Sequence, residues 1–159
     1  MTTLTIGVDP GKSGAIAALD EAGQLVDVID MPNAGGEVSA ALLVEALDAW
    51  CDGWTKIGTV VVEEVAAFPK NGSIGNFKLG YSYGVVLGVV GVRWPLVRVR
   101  PASWKRSMGL TSDKELSRRR AIETWPGSAG VFARKKDDGR AEAALLALWH
   151  HQRATGVAA

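Results

Sequence analysis

The residues Leu4-Thr5-Ile6-Gly7-Val8-Asp9-Pro10-Gly11 constrain this chain more than any other stretch. Leu4, Ile6 and Val8 alternate with Thr5, Gly7 and Asp9, the period-two pattern of a strand with one buried face. Pro10-Gly11 ends it, because proline fixes φ and lacks an amide hydrogen while glycine accepts positive φ. Asp9 is therefore expected at the carboxyl end of an apolar strand, with Gly7 leaving the same face open beside it. An aspartate there either caps a turn or serves a site. Acidic partners elsewhere in the chain decide between the two.

Two further strands are expected over residues 15–19 and 24–31, joined by Glu21-Ala22-Gly23, so the chain opens as a meander. Residues 37–50 carry Val38, Ala41, Leu42, Glu45, Ala46 and Ala49 at helical spacing. Thr59-Val60-Val61-Val62 is a continuous β-branched run, the signature of a strand covered on both faces. It runs straight into Glu63 and Glu64. Carboxylates at the end of a buried strand cost several kcal/mol unless solvated, paired or coordinated to metal. Alternation sends the two to opposite faces, so at most one can share a site with Asp9.

A helix is expected over residues 73–92, with Gly80, Gly84 and Gly88 at four-residue intervals. Each costs the helix about 1 kcal/mol relative to alanine. The stripe exposes bare backbone, to be covered either by a partner subunit or by the sheet. A short strand over 96–100 precedes Pro101, a favourable first helical residue. Ser112-Asp113-Lys114-Glu115 reads as a capped start to a helix reaching Trp125. Arg118, Arg119 and Arg120 on it are either an exposed surface or phosphate contacts. The last helix, apolar from Ala143 to about Gln152, follows Asp138 and Glu142, which are i,i+4 and share one face. Acids at that end gain about 0.3–1 kcal/mol from the helix dipole, so their position alone is not a site. His150 and His151 have no acidic neighbour in sequence and read as structural.

The 159 residues suit a single domain, 1–159. The lone Cys51 excludes an internal disulfide and fits a reducing, cytoplasmic setting. No signal-like opening is expected, and the longest apolar run, 85–92, is far below the roughly 20 residues that span a bilayer. Charge is segregated under a net of +1: residues 1–92 hold four basic and eleven acidic residues, and residues 93–159 hold fourteen basic and six acidic. That asymmetry points to a polyanionic partner.

The order of elements and acids resembles the RNase H-like fold, and within it the RuvC family of Holliday-junction resolvases, in particular its phage-type members. The resemblance is carried by Ile6-Gly7-Val8-Asp9-Pro10-Gly11, Val62-Glu63-Glu64-Val65, Lys78-Leu79-Gly80-Tyr81-Ser82-Tyr83-Gly84, Pro101-Ala102-Ser103-Trp104-Lys105 and Asp138-Gly139-Arg140-Ala141-Glu142-Ala143. It implies an α/β protein with a five-stranded mixed sheet flanked by helices, acting on branched DNA such as a four-way junction. It implies a metal-dependent endonuclease that works as a homodimer making paired nicks. By position, Asp9, Glu63, Asp138 and Glu142 are the expected catalytic and metal-binding acids. The usual Asp-x-x-Asp of the last helix is replaced here by Asp-x-x-x-Glu, and Asp137 competes with Asp138.

Oxygen ligands of this kind suit Mg²⁺ or Mn²⁺, with two ions per site as the expectation. Lys70, Lys105, Arg106, Lys135, Lys136 and Arg140 are candidate DNA-binding cations. Phe68, Phe77 and Trp104 are candidate stacking residues, Phe68 and Phe77 equally core candidates. Two other classes stand beside this reading: a phosphotransferase of the actin/hexokinase type, and a catalytically inactive nucleic-acid-binding module on the same fold. ATP turnover marks the first, and loss of metal-dependent cleavage the second.

Overall fold

A computed structural model describes residues 1–156. The opening meander forms as β1 (Thr2–Asp9), β2 (Ala15–Leu19) and β3 (Leu25–Asp30), each antiparallel to the next. The segment expected as one helix over 37–50 divides. A two-residue ladder pairs β4 (Asn33–Ala34) with β5 (Glu37–Val38), and α1 (Ala40–Asp48) starts only after Ser39, whose hydroxyl accepts from the Leu42 amide. Positive φ at Gly35 and Gly36 allows that tight reversal.

The apolar run extends backward into β6 (Thr55–Glu63), parallel to β1. Next come α2 (Gly72–Gly91), β7 (Leu96–Val99), α3 (Pro101–Ser107), α4 (Lys114–Thr124) and α5 (Asp138–Thr155). The five-stranded sheet has the order β3-β2-β1-β6-β7, with β6 and β7 parallel.

The sheet divides the core in two. On one side Leu4, Ile6, Val8, Ile16, Val60 and Val62 pack with Leu43 and Leu47 of α1 and Val86 and Val90 of α2. On the other, Ala15, Ala17, Val61 and Val99 meet α5 and the aromatic block Trp104, Trp125 and Phe132. A register shift between Leu4 and Thr5 skips Gly58, which keeps Ile57 and Val60 on one face despite their odd spacing.

Gly7 does not leave its face open. A methyl group there would overlap the Ala143 carbonyl oxygen and approach the Ala147 amide, so the missing side chain is what admits α5. Gly139 does the same one end lower: its Cβ would stand 2.8 Å from the Ser13 carbonyl oxygen. The helix thus lies backbone against backbone on β1 and on the loop after it. Gly80, Gly84 and Gly88 have nothing within 4 Å of an added Cβ, so their stripe does not pack on the sheet; Ser82, Val86 and Val90 do that. Among the described residues no helix is long and apolar enough to cross a membrane.

Candidate active site

Asp9 and Glu63 stand together because of register. Val8 lies opposite Val62 across the parallel pair, so the next residue of each strand reaches the same level. Both follow residues of the α2-facing set, so both side chains turn toward α5, while Glu64 turns away and lies 3.6 Å from Arg100. Glu142, one turn into α5, completes the cluster and is almost wholly buried.

Three donors hold Glu142: Lys105 Nζ at 2.7 Å, Lys114 Nζ at 2.6 Å and Ser117 Oγ at 3.4 Å. Lys114 also lies 3.6 Å from Asp138. The Glu63 carboxylate accepts from Trp104 Nε1 at 2.7 Å.

These surroundings shift the acids. Burial, then Glu142 and Glu63, push Asp9 up to about 7 from 3.8, against the pull of Lys114. Burial also raises Glu63, though Lys105 and the Trp104 hydrogen bond work the other way. Lys114 is raised: burial opposes its charge, but Glu142, Asp9 and Asp138 outweigh it. A carboxyl held near neutrality by like charges is the electrostatic mark of a site short of positive charge.

The structure separates the remaining expectations. Asp137 is buried but elsewhere: the Arg134 amide donates to it at 2.8 Å and the Arg134 guanidinium at 2.8 Å, with Arg140 3.9 Å away. Trp104 is 0% exposed, so it cannot stack on a base; it positions Glu63 instead. Arg140 is committed to Asp30 through bonds of 2.6 and 3.0 Å and is not free for phosphate. Lys105 belongs to the acid cluster rather than to an outer surface.

Arg118 bonds Glu115 and the carbonyls of Phe132 and Ala133, and Arg120 bonds the Met108 carbonyl; only Arg119 of the three is exposed and without such a bond. Lys70, Arg106, Lys135 and Lys136 are exposed, as are Phe68 and Phe77. A cleft of about 460 Å³ opens over Asp9 and Glu63, with Phe68, Leu79 and Arg100 in its wall. A basic groove carrying Lys105 and Arg106 lies on its far side.

Lys114 was absent from the sequence candidates. Asp113 caps α4 by accepting from the Glu115 amide at 2.9 Å, which puts Lys114 in the first turn. A cation there opposes the helix dipole. That unfavourable placement was the readable sign that its charge has a partner outside the helix.

No protein-family model matches the sequence, and no curated protein matches it. Solved structures do. Thermus thermophilus RuvC aligns over 99% of this chain and 98% of its own, at 20% identity and a TM-score of 0.60. RuvC from T. thermophilus in complex with Holliday junction substrate aligns over the same shares, at 18% identity and a TM-score of 0.58. The chain has the RuvC fold. In RuvC terms the alignment spans the chain from end to end, so every element named above belongs to the shared architecture.

The donor set fits a hard divalent cation. Asp9, Glu63, Glu142 and Asp138 offer carboxylate oxygens alone, and no His or Cys joins them. As the side chains stand, no three acids among the described residues converge on a single ion position. Ammonium groups take the Glu142 oxygens, so a metal would exchange with Lys114, the more exposed of the two lysines.

Proposed function

We propose that this protein is a metal-dependent endonuclease that cuts four-way DNA junctions. One observation carries the reading: in a RuvC fold, Asp9, Glu63 and Glu142 meet from three elements, with Asp9 held near neutral pH by the other two. Mg²⁺ or Mn²⁺ held by these carboxylates and by Asp138 supplies the Lewis acidity for phosphodiester hydrolysis. The chain's own residues do the rest. Trp104 orients Glu63, Lys105 and Lys114 bring positive charge to the reacting phosphate, and Asp9 can hold or release a proton near pH 7. Lys70, Arg106, Lys135 and Lys136 supply phosphate contacts further out.

Two symmetric nicks need two sites, and one chain carries one, so the working species is a two-fold dimer. The outward face of α2 suits that role. Its glycines are uncovered, and Ile74, Phe77 and Tyr81 are exposed beside them. The decisive experiment is cleavage of an end-labelled four-way junction beside a duplex of the same sequence, with and without Mg²⁺. Paired nicks on the junction, dependent on metal, are expected. Turnover of neither DNA at any metal concentration removes the reading.

A further inference from the structure

The cleft over Asp9 continues into a second depression. Leu79 lines both the cleft and a cavity of about 520 Å³ between the loop after β1, the β4–β5 ladder and the first half of α2. Lys12 and Ser13 enter from the loop, and Phe77, Lys78, Tyr81 and Ser82 from α2. Glu37 is the one acid in this wall, against two lysines. Lys12 follows Asp9 by three residues, so the cavity begins where the acids end.

Ser82 is the telling residue. It is 5% exposed and lines the cavity, yet its hydroxyl has no hydrogen-bond partner among the described residues. Thr124 and Thr155, also in helices, return their hydroxyls to the carbonyl four residues earlier. A buried hydroxyl left without a partner is costly. Here it faces a space of the size that small ligands fill, about 300–1,000 Å³.

We propose that this cavity receives one unpaired nucleotide of the strand being cut. Its base lies against Phe77 and Tyr81 with a polar edge at Ser82 Oγ, and its phosphate meets Lys12 and Lys78. The proposal rests on the nuclease reading above and adds a subsite to it. A base held in a duplex cannot enter, whereas a branch point offers nucleotides whose pairing and stacking are already weakened. The continuity through Leu79 favours a nucleotide within the strand over a free one, because the neighbouring phosphate then falls in the Asp9 cleft.

The test is a double-mutant cycle between protein and DNA. Junctions carrying one abasic site, placed in turn at each of the nucleotides flanking the cut, are bound in EDTA so that nothing is cleaved. Wild-type protein is expected to lose about fivefold or more in affinity at one position, the size of a lost base stack. Ser82→Leu, which fills the cavity, should bind the intact and abasic junctions equally. Phe77→Ala, at an exposed site where folding is not at stake, should show most of the same insensitivity.

Equal losses in wild type and both variants at every position overturn the proposal, as does no loss at all. Melting stabilised by a free deoxynucleoside monophosphate, with no coupling on the junction, places a soluble nucleotide there and also overturns it. A protein that cuts junctions but shows no coupling loses only this subsite. A protein that neither prefers nor cuts junctions loses the nuclease reading itself.

Discussion

Trp104 donates its indole N–H to Glu63 Oε2 at 2.7 Å from a ring that has no contact with solvent. The bond fixes which oxygen of Glu63 remains available, and it does so from α3, an element that carries none of the acids. Trp104→Phe keeps most of the packing and removes only the donor. A hydrogen bond to a charged group contributes roughly 1.5–3 kcal/mol. Cleavage should therefore fall by about tenfold or more with a higher Mg²⁺ requirement, while the fold by circular dichroism stays intact. An unchanged metal requirement would separate Trp104 from the site.

Asp9 makes stability depend on pH. Its carboxyl titrates at about 7 in the folded chain against 3.8 when unperturbed. Between those values the folded state binds the extra proton, so stability of the metal-free protein declines as pH rises from about 4 to about 7. The mismatch is worth on the order of a few kcal/mol above pH 7. Asp9→Asn should melt higher than wild type at pH 8 in EDTA, and the gap should close near pH 4. The same variant should bind junctions and fail to cut them. A variant that cuts normally removes Asp9 from the chemistry.

Lys114 shares Glu142 with Lys105 and reaches Asp138. Removing its charge leaves the acids less compensated, so Lys114→Met should lower the melting temperature without metal. It should also tighten Mn²⁺ binding by roughly tenfold in calorimetry, the scale of one unit charge at close range. Cleavage should fall nonetheless. Unchanged Mn²⁺ affinity would show that lysine and metal do not compete.

Asp137, at sequence level a rival to Asp138 and expected to tolerate Asn, is a structural residue. Burial raises its carboxyl, but the Arg134 hydrogen bonds outweigh that and hold it below the usual range. Asp137→Asn should cost about 1–3 kcal/mol of stability by loss of a buried charged hydrogen-bonding set, with cleavage by the folded fraction retained. Because the folded carboxyl is lowered, the stability it supplies is present at neutral pH and disappears as pH falls below the carboxylate range. An inactive but fully stable variant would return Asp137 to the metal site.

The glycine face of α2 yields a test of assembly. Gly84→Leu meets nothing within the monomer, so the chain should fold as wild type. Light scattering should then report a monomer that nicks junctions without pairing the nicks. A dimer that survives the change moves the interface elsewhere.

Much of this was legible in the sequence. Alternation in 4–9 placed Asp9 at a strand end, the β-branched run 59–62 placed Glu63 and Glu64, and parity allowed only one of the two beside Asp9. Trp104 and Arg140 were misread because composition marks an aromatic or a cation without saying whether its polar end is already bonded. Gly7 was misread for a related reason: the missing side chain looked like free space, and a helix from 130 residues further along fills it. Lys114 went unseen since its partners, Glu142 and Asp138, lie across the fold.

The two glycine contacts of α5 have a mechanical consequence. Backbone resting on backbone has no rotamer to change, so Asp9 on β1 and Glu142 on α5 form a jaw that cannot open without unseating the helix. Adjustment to an incoming strand falls to the opposite jaw. There Lys105 and Lys114 reach in from α3 and α4 on long flexible stems, and Gly109 between them sits at φ +66°. The protein grips with a fixed anvil of acids and a yielding clamp of lysines.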